Sequence, residues 1–551
     1  MNKEELYSYH VFLFPFQWYY TGKSYANKTL EEKTELNKFV GLLKNTRWKR
    51  QGFKLDTILN YNEYNYFYDF VRDVLYDRNS KDEAGYIANF YYDLEPDTFE
   101  YRFKVSWYES GQIIYKEYRL SIESILLHLY RTGVGVISFH LNNRLPEQAS
   151  PDDILRINQY GRRLYPPFFG LDKELTGKVK QYQPGGFSNG LKITQQKELP
   201  QWITIGSDQN LEDFSRYTDP RYFEKNPFQL PRFVKNLFNE FKLTTNPEER
   251  HTLEDGIFVS PLLDDRMFVV CWYGNDDLAE KLKPKGSNSS ETLYPHLTDD
   301  WWYKFIFVDT NFPMCQNEMM KKQLLHAHTN ARWAEFGTFY GISRYSFVCL
   351  TYSLESLKNS NAQFLVNHIQ TMYYKLAELC LVQRACVLRF SAEVSEISAL
   401  DKKEKKYLTR NVSNLYKQYL QFVNKIYFKE VTAQEQGIEL YDMLQEKMRI
   451  SEQVTGLEAE IEKLYQFVNI REQSAQTTEM NLLNKIATYL LPPTLIAAFF
   501  GVNFVDREWV AGFSSKLYWP FWYIVIVAIV FTLVFIIFFA PLSRKRLRKI
   551  E

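Results

Sequence analysis

The chain has 551 residues, of which 24% are charged and 45% hydrophobic, and its formal net charge is +1. This balance is ordinary for a globular protein and provides no protein-wide field for polyanions, so direct nucleic-acid binding is not expected. The five cysteines form no CxxC pair, which indicates reduced thiols in a cytosolic compartment.

The opening region, residues 1–361, shows strand patterns mixed with helix patterns. An apolar run at 9–18 predicts a buried strand, and Pro15 within it indicates an edge position or a bulge. Polar and apolar residues alternate about residues 109–111, which predicts a hairpin. No apolar signal-peptide core precedes these elements, so we expect the N-terminus to stay in the cytosol.

Further strands and helices are predicted up to residue 361. Residues 134–141 predict a strand, and Ser150 followed by proline predicts a helix N-terminus. Residues 175–250 are rich in Gly, Pro and polar residues and predict a loop-rich insertion. Beyond it, strands are predicted at 256–260, 266–273, 303–308 and within 336–352, with a helix near 316–335. Residues 1–361 therefore predict an enlarged α+β sensor domain with a mixed sheet.

Residues 362–485 have a helical pattern throughout. Two helices are predicted at 362–396 and 403–430, and a third begins near Thr432. Apolar residues of the third helix recur in steps of three and four, which is typical of a heptad seam. The seam residues are Val454, Leu457, Ile461, Leu464 and Val468. Since neither a proline nor a glycine pair interrupts the run from Gly456 to Leu491, we expect one long stalk helix.

Two apolar segments near the C-terminus predict a membrane hairpin. Residues 486–504 form the first predicted span and 517–542 the second, which exceeds the roughly 20 residues that cross a bilayer. Residues 505–516 connect the spans. The tail at 543–551 is strongly basic, and basic flanks stay on the cytosolic side. We therefore expect a multi-pass protein of the bacterial inner (plasma) membrane, with both termini in the cytosol and the loop outside.

One face of the first span and of the helix before it is mostly small or polar. Its residues, spaced by three or four, are Thr477, Met480, Asn484, Ala487, Leu491, Thr494, Ala498 and Gly501. A single helix cannot enclose a pore, but a ring of such helices could. Close helix–helix packing through small residues is the alternative and requires no pore. The spacing alone leaves both interpretations open.

The segment ATYLLPPTLIAAFFGVNF, the charged helix before it, the short loop and the basic tail closely resemble the CorA family of metal-ion transporters. Where that family has Gly-Met-Asn, this chain has Gly501-Val502-Asn503. The resemblance implies a homopentamer in the lipid bilayer, with the first spans lining a central pore. It implies a transported divalent cation, with magnesium as the first candidate, and neither a cofactor nor an enzymatic activity. Because Val502 replaces methionine, magnesium selectivity is open.

The same resemblance assigns roles along the pore. Asn503 would form a ring of amide oxygens at the outer mouth, and Gly501 would allow the chain to turn there. Asp506 and Glu508 in the loop could attract cations, although exposed acids of this kind are commonly just solvated. Residues Thr494, Leu491, Met480 and Thr477 would line the pore, with Met480, Leu483 and Leu491 as hydrophobic constrictions that close by dewetting.

The body before the stalk is larger than the domain usual in the family. In this respect the chain resembles the CorA-like membrane effectors of type III CRISPR systems. That resemblance implies that a nucleotide second messenger, either a cyclic oligoadenylate or an S-adenosylmethionine–AMP conjugate, opens the pore in antiviral defence. The alternatives are an ordinary transporter of divalent Mg, Zn or Co, and a non-conducting membrane scaffold.

The sequence contains no P-loop, GxSxG or HExxH motif, and we expect neither a catalytic site nor a fixed metal site in the body. Cations and aromatic rings suited to a phosphate and an adenine occur at scattered positions. Core packing and surface ion pairing are the alternative roles for them. These candidate ligand-binding residues are Arg162, Arg163, Trp301, Arg332, Tyr340 and Arg344.

Overall fold

The computed structural model describes most of the chain. The described residues are 5–22, 28–44, 46–76, 85–94, 99–110, 112–164, 198–206, 210–214, 230–238, 243–254, 256–263, 265–286, 292–310, 313–356, 362–398, 405–501, 525, 526 and 529. They divide into an N-terminal unit that ends at Leu464 and a C-terminal unit that begins at Tyr465. The N-terminal unit is an α+β structure that contains a mixed sheet and several long helices, and the last helix begins in this unit and continues into the C-terminal unit.

Most of the described strands belong to one sheet. In chain order the strands are β1 (Ser8–Tyr20), β2 (Trp48–Arg50), β3 (Ile87–Tyr92), β4 (Glu100–Glu109), β5 (Gln112–Tyr130), β6 (Val134–Asn143), β7 (Glu198–Ile205), β8 (Glu212–Asp213), β9 (Leu243–Thr244), β10 (Ile257–Pro261), β11 (Phe268–Gly274), β12 (Lys285–Gly286), β13 (Thr292–Leu293), β14 (Thr329–Asn330), β15 (Phe339–Ser343) and β16 (Ser346–Thr351). The sheet order is β14-β15-β16-β11-β1-β6-β5-β4-β7-β8. On side branches, β10 pairs with β1 and β9, and β3 pairs with β5 and β2, whereas β12 and β13 pair separately.

The α-helices are numbered in the same way. They are α1 (Leu30–Lys33), α2 (Leu36–Leu43), α3 (Ile58–Tyr66), α4 (Asp69–Leu75), α5 (Pro151–Gly161), α6 (Arg232–Lys235), α7 (Asp276–Leu282), α8 (Asp300–Phe307), α9 (Glu318–His328), α10 (Ala362–His368), α11 (Tyr374–Ser398), α12 (Lys405–Lys425), α13 (Glu435–Met448) and α14 (Ile450–Gly501). A π-helical turn, Ile369–Tyr373, joins α10 to α11.

The first predicted strand forms as β1, but it lies inside the sheet rather than at an edge. One side pairs with β6, and the other side pairs first with β11 and then with β10. The carbonyl of Pro15 accepts a hydrogen bond from the Leu262 N–H at 3.1 Å. The proline nitrogen therefore faces the point at which β11 gives way to β10, where its missing N–H costs no ladder bond. The predicted edge position is wrong, because β1 has partner strands on both sides.

Local sequence signals for the next elements are confirmed. The hairpin about residues 109–111 forms between β4 and β5, with Ser110 at a positive φ of 49°. Helix α5 begins after Ser150, whose hydroxyl accepts a hydrogen bond from the Asp153 N–H at 3.2 Å. These features depend on a few adjacent residues, so the sequence was sufficient to predict them.

The strand predicted at 303–308 is wrong, since residues 303–307 belong to helix α8 and Val308 follows the helix in a left-handed conformation. Asp299 caps this helix by accepting a hydrogen bond from the Trp302 N–H at 2.8 Å. The aromatic residues that favour a strand here are buried inside the N-terminal unit, so the helix has apolar residues around most of its circumference. A short helix of this kind lacks the polar face that would have distinguished it from a strand.

Two other boundaries also differ from expectation. The helix near 316–335 is shorter, because α9 spans only Glu318–His328. Within the predicted insertion at 175–250, β7 pairs with β4 and extends the main sheet. The first part of that insertion lies outside the described residues.

The helical region agrees with its pattern. Helices α10, α11 and α12 occupy the two helical stretches predicted from residue 362, and α14 is one continuous helix of 52 residues. The third helix predicted from Thr432 is wrong as a single element, because Arg449, at a φ of 55°, separates α13 from α14. Of the predicted seam, Val454, Leu457, Ile461 and Val468 are buried, which confirms the heptad interpretation at those positions.

A buried ion network fixes α11 to α1. The Glu393 carboxylate lies 3.0 Å from the Lys33 amine and 3.0 Å from the Arg389 guanidinium, and all three side chains are at most 5% exposed. Burial raises the pKa of Glu393, but the charges of Arg389 and Lys33 outweigh it, so the pKa lies below its usual value. The carboxylate is therefore charged, and two buried cations depend on it.

We expect Glu393→Ala to destabilise the N-terminal unit by about 3–5 kcal/mol, because it removes the carboxylate that offsets two buried cations. The matched control is Glu396→Ala, since Glu396 lies 3.8 Å from Lys33 but is 41% exposed. The control is expected to cost about 0–1 kcal/mol. Thermal unfolding of the purified full chain measures both, and equal midpoints for the two variants would contradict the assignment.

Candidate functional site

The N-terminal unit contains a cavity of about 540 Å³. Its walls come from β2 and the segment after it, α3, the end of α4, β3, β5 and the start of α11. Small-molecule sites typically measure about 300–1,000 Å³ and combine apolar walls with a few polar groups. The size of this cavity therefore suits a single small ligand.

A charged pair lies in the wall of the cavity. The buried Lys375 amine is 3.5 Å from the buried Glu63 carboxylate, which also accepts a hydrogen bond from the Tyr76 hydroxyl at 2.9 Å. Burial lowers the pKa of Lys375, but Tyr374 and the carboxylates of Glu63 and Glu378 outweigh it, and the pKa is raised above its usual value. The cavity therefore contains a charged ammonium group.

A second buried pair joins β5 to α11 beside the first. The His128 ring N–H at Nδ1 donates to the Glu378 carboxylate over 2.5 Å, and both side chains are at most 5% exposed. Since Lys375 and Glu378 are three residues apart on α11, they lie on one face of the helix. One turn of α11 thus contributes both signs of charge to this region.

Asn89 supplies a polar group without a partner. Its side-chain amide donates to the Leu75 carbonyl at 2.9 Å, whereas Oδ1 has no hydrogen-bond partner among the described residues. Asn89 is 6% exposed and lines the cavity. Leaving a buried acceptor unpaired costs about 1–3 kcal/mol. The Oδ1 atom is therefore suited to accept a hydrogen bond from a ligand.

Aromatic rings and cations complete the lining. Phe53 packs against Tyr76 with ring centroids 4.1 Å apart and stacks on Tyr64 at 5.4 Å. Arg50 and Lys54 flank Phe53 in sequence, and Lys54 is exposed. Rings and cations in one wall provide stacking surfaces and charge for an aromatic anion.

Helix α11 enters the cavity wall directly after the π-helical turn. Tyr374 and Lys375 are its first two residues, and the turn Ile369–Tyr373 precedes them. Single π-helical turns occur frequently at functional sites, because they change the direction of the residues that follow. The turn therefore coincides with the charged part of the cavity.

His140 packs against Tyr374, one of the residues that line the cavity. Its ring meets Tyr374 edge-on with centroids 4.7 Å apart, and Nδ1 lies 2.8 Å from the Tyr9 hydroxyl. Burial, with smaller effects from Lys375 and His128, lowers the pKa of His140 to about 3. His140 is therefore neutral at physiological pH.

We expect His140 to make the fold sensitive to mild acid. The unfolded chain binds a proton at this residue below about pH 6.5, whereas the folded chain does not until about pH 3. Stability therefore falls as the pH drops through this window, by up to about 1.4 kcal/mol per pH unit. Denaturant unfolding of wild-type protein and His140→Gln at pH 7 and pH 5 measures the effect.

The variant is expected to lose less stability than wild type between these pH values, by about 2 kcal/mol. His326→Gln is the control, because His326 is exposed. Equal pH dependence in wild type and His140→Gln would contradict the assignment.

Three of the six sequence candidates lie in one neighbourhood, but away from the cavity. Arg163 pairs with the buried Asp265 carboxylate, and the buried Arg162 donates to the Gln159 side chain at 3.0 Å. Arg344 is exposed, and its carbonyl accepts a hydrogen bond from Arg384 at 3.1 Å. The guanidinium groups of Arg266 and Arg384 both lie over the ring of Tyr345, next to Arg344.

Arg162 is the most deeply buried of this arginine group. Among the described residues, its Nε and Nη1 atoms have no hydrogen-bond partner. Burial, followed by the charges of Arg163 and Arg266, lowers its pKa well below the usual value. Its remaining nitrogen, Nη2, also reaches the Val308 carbonyl at 3.4 Å.

The other three candidates lie elsewhere. Trp301 donates to the Pro151 carbonyl at 3.1 Å, at the opposite end of α5 from Arg162 and so about 16 Å away along the helix. Arg332 pairs with Glu439, and Tyr340 stacks on Phe347 at 6.1 Å. None of the six candidates lines the described cavity.

The residues of the predicted pore face lie partly in α14. Met480, Leu483 and Leu491 are 61%, 63% and 55% exposed. The Thr477 hydroxyl donates to the Gln473 carbonyl at 2.8 Å, and the Thr494 hydroxyl donates to the Leu490 and Leu491 carbonyls at 2.9 and 3.0 Å. Asn484 and Ala487 are also exposed, and Ala498 and Gly501 belong to the same helix. Val502, Asn503, Asp506 and Glu508 lie outside the described residues.

In the part of the chain that the structure describes, no helix meets the length and hydropathy needed to cross a membrane. The second predicted span, 517–542, lies outside that part except for Val525, Ile526 and Ile529.

A family model matches the C-terminal part of the chain. Residues 391–546, which are 156 of the 551 residues, match the family model described as CorA-like Mg²⁺ transporter protein. The match begins in α11 and continues beyond α14, and it supports a CorA-type ion transporter, a class of membrane channels and transporters rather than enzymes. A search of curated proteins found no match. The cavity lies outside the matched segment.

Sequence reasoning missed the cavity. Its lining residues come from elements that are distant in the chain, and the decisive pair, Glu63 and Lys375, comes from two different helices. One local signal was present, since the basic and aromatic run from Arg50 to Lys54 interrupts a polar segment. Without the sheet topology, nothing connects this run to the start of α11.

Proposed function

We propose that this chain is one subunit of a CorA-type cation channel in the bacterial inner membrane. The observation that carries this proposal is the family match over residues 391–546. The proposed assembly is a homopentamer in the lipid bilayer with both termini in the cytosol. In it, the last part of α14 and the residues after it line a central pore for a divalent cation.

In the proposed pore, the outer mouth is a ring of Asn503 amides that replace part of the water shell of the ion. Gly501 allows the chain to turn below it, and Val502 replaces the methionine of the family signature. The exposed apolar residues Met480 and Leu491 form constrictions that close by dewetting. Contact with copies of the chain in the proposed assembly would cover exposed apolar residues on more than one side of this part of α14.

The finer proposal is that a nucleotide second messenger opens the pore. The ligand would be a cyclic oligoadenylate or an S-adenosylmethionine–AMP conjugate made by a type III CRISPR system, and ion leakage would serve antiviral defence. A route for the signal within the N-terminal unit supports this proposal. The Gln383 side-chain amide on α11 donates to the Tyr441 hydroxyl on α13 at 2.9 Å, and α13 leads into α14.

The test is ion flux through the purified full chain in liposomes, with and without each adenylate. We expect Mg²⁺ flux only after the messenger is added. We also expect Asn503→Leu to lower that flux by more than about tenfold, because losing the amide ring raises the barrier by at least about 1.4 kcal/mol.

Flux without any nucleotide would contradict ligand gating and would fit an ordinary divalent-cation transporter. Flux that Asn503→Leu leaves unchanged would contradict the proposed pore. Absence of flux under every condition would favour the non-conducting scaffold.

A second prediction concerns the constriction. Leu491 and Leu482 are nine residues apart on α14 and therefore face opposite sides of the helix, yet they are 55% and 54% exposed. We expect Leu491→Ser to allow flux without the messenger, since a hydroxyl at a constriction favours wetting. Leu482→Ser is the matched control and should remain closed. Equal leak from both variants would contradict the pore-facing assignment.

A further inference from the structure

We propose that the cavity at the start of α11 is a binding site for a single nucleotide-type ligand, an aromatic base joined to a phosphate. Lys375 and Lys54 would hold the phosphate, and the aromatic wall that contains Phe53 would face the base. The inference rests on the proposed ligand-gated function and names the site where the ligand acts.

The charges of the cavity favour an anion. Among its lining residues, Arg50, Lys54 and Lys375 supply positive charge, whereas Glu63 is the carboxylate in direct contact with Lys375. The 3.5 Å separation of that pair is longer than the roughly 2.7–2.9 Å of a charge-assisted hydrogen bond. A phosphate oxygen at the shorter distance would therefore compete with Glu63 for the Lys375 ammonium group.

The remaining lining favours an aromatic group with a hydrogen-bond donor. Phe53, half-buried, and Tyr91, 41% exposed, present ring surfaces, and the buried Tyr76 packs behind Phe53. The unpartnered Asn89 Oδ1 accepts hydrogen bonds only, which matches an exocyclic amino group such as that of adenine. Inorganic phosphate would use the cations but would leave Asn89 and the rings without a function. A nucleotide uses all three.

The position of the site explains how ligand binding would change the contacts of helix α11. Phosphate bound at Lys375 competes with Glu63 for the same ammonium group and so weakens the link between α3 and α11. The π-helical turn lies directly before Lys375, where a change in helical pitch requires little rearrangement. Binding would therefore shift the first turn of α11.

The experiment measures binding of the S-adenosylmethionine–AMP conjugate, a cyclic oligoadenylate and inorganic phosphate to the purified full chain by calorimetry at physiological salt. We expect at least one adenylate to bind more tightly than inorganic phosphate. Lys54→Glu should weaken that binding by about tenfold or more, because it reverses one charge at the exposed side of the cavity. Lys44→Glu is the control, since Lys44 is also exposed but does not line the cavity.

A second pair of variants tests the aromatic side. Tyr91→Ala should weaken binding of the adenylate but not of inorganic phosphate, and the exposed Tyr115, which does not line the cavity, provides the control Tyr115→Ala. Both tyrosines are exposed, so both variants are expected to fold.

The outcomes separate the two proposals. Adenylate binding that neither Lys54→Glu nor Tyr91→Ala weakens would overturn the cavity assignment and leave ligand gating in place. Absence of adenylate binding to wild-type protein would overturn the proposed messenger and the site together. Binding of inorganic phosphate as tight as that of the adenylates would overturn the nucleotide specificity.

Discussion

Helix α11 contributes charged side chains to the protein interior, and the surrounding structure depends on how each is paired. Lys375 pairs with Glu63 on α3, Glu378 with His128 on β5, and Glu393 with Lys33 on α1. A buried charge without a partner costs several kcal/mol, so each pair fixes α11 against a different element. Sliding or rotating the helix by one residue would separate all three pairs at once, and the pairs thus fix the position of α11 relative to α1, α3 and β5.

This arrangement also gives α11 two discrete sets of contacts. Its first turn forms part of the cavity wall, and its middle bonds to α13, where Gln383 and Gln445 share the Tyr441 hydroxyl. Arg449 then ends α13 in a left-handed conformation before α14 begins. The start of α11 is therefore connected to the beginning of α14 through α11 itself, these side-chain hydrogen bonds and α13. Such a connection permits coupling between the two regions.

The sequence was most informative where a few adjacent residues decide the structure. Strand β1, the hairpin at Ser110, the cap at Ser150 and the continuous helix α14 all follow from local patterns. It was least informative where tertiary context decides. Helix α8 looks like a strand because it is buried, and Pro15 is tolerated inside the sheet only because two partner strands meet beside it.

The candidate site shows the same division. Residue type alone selected Arg162, Arg163 and Arg344, and the structure does bring these into one arginine group around Tyr345. Residue type could not reveal the cavity, because nothing in the sequence distinguishes Lys375 from the other residues of helix α11. Only the pairing of distant elements shows that Lys375 faces an open volume.

The energy required for the proposed gating is compatible with contacts of this size. Moving a two-state equilibrium from 1:99 to 99:1 requires a differential binding free energy of about 5.5 kcal/mol. In the proposed homopentamer, five equivalent sites would share this requirement, at about 1.1 kcal/mol each. That is close to the net value of one hydrogen bond, about 0.5–1.5 kcal/mol. A ligand that exchanges the Lys375–Glu63 contact for a phosphate contact in each subunit would therefore be sufficient, and the rest of the buried charge network could remain intact.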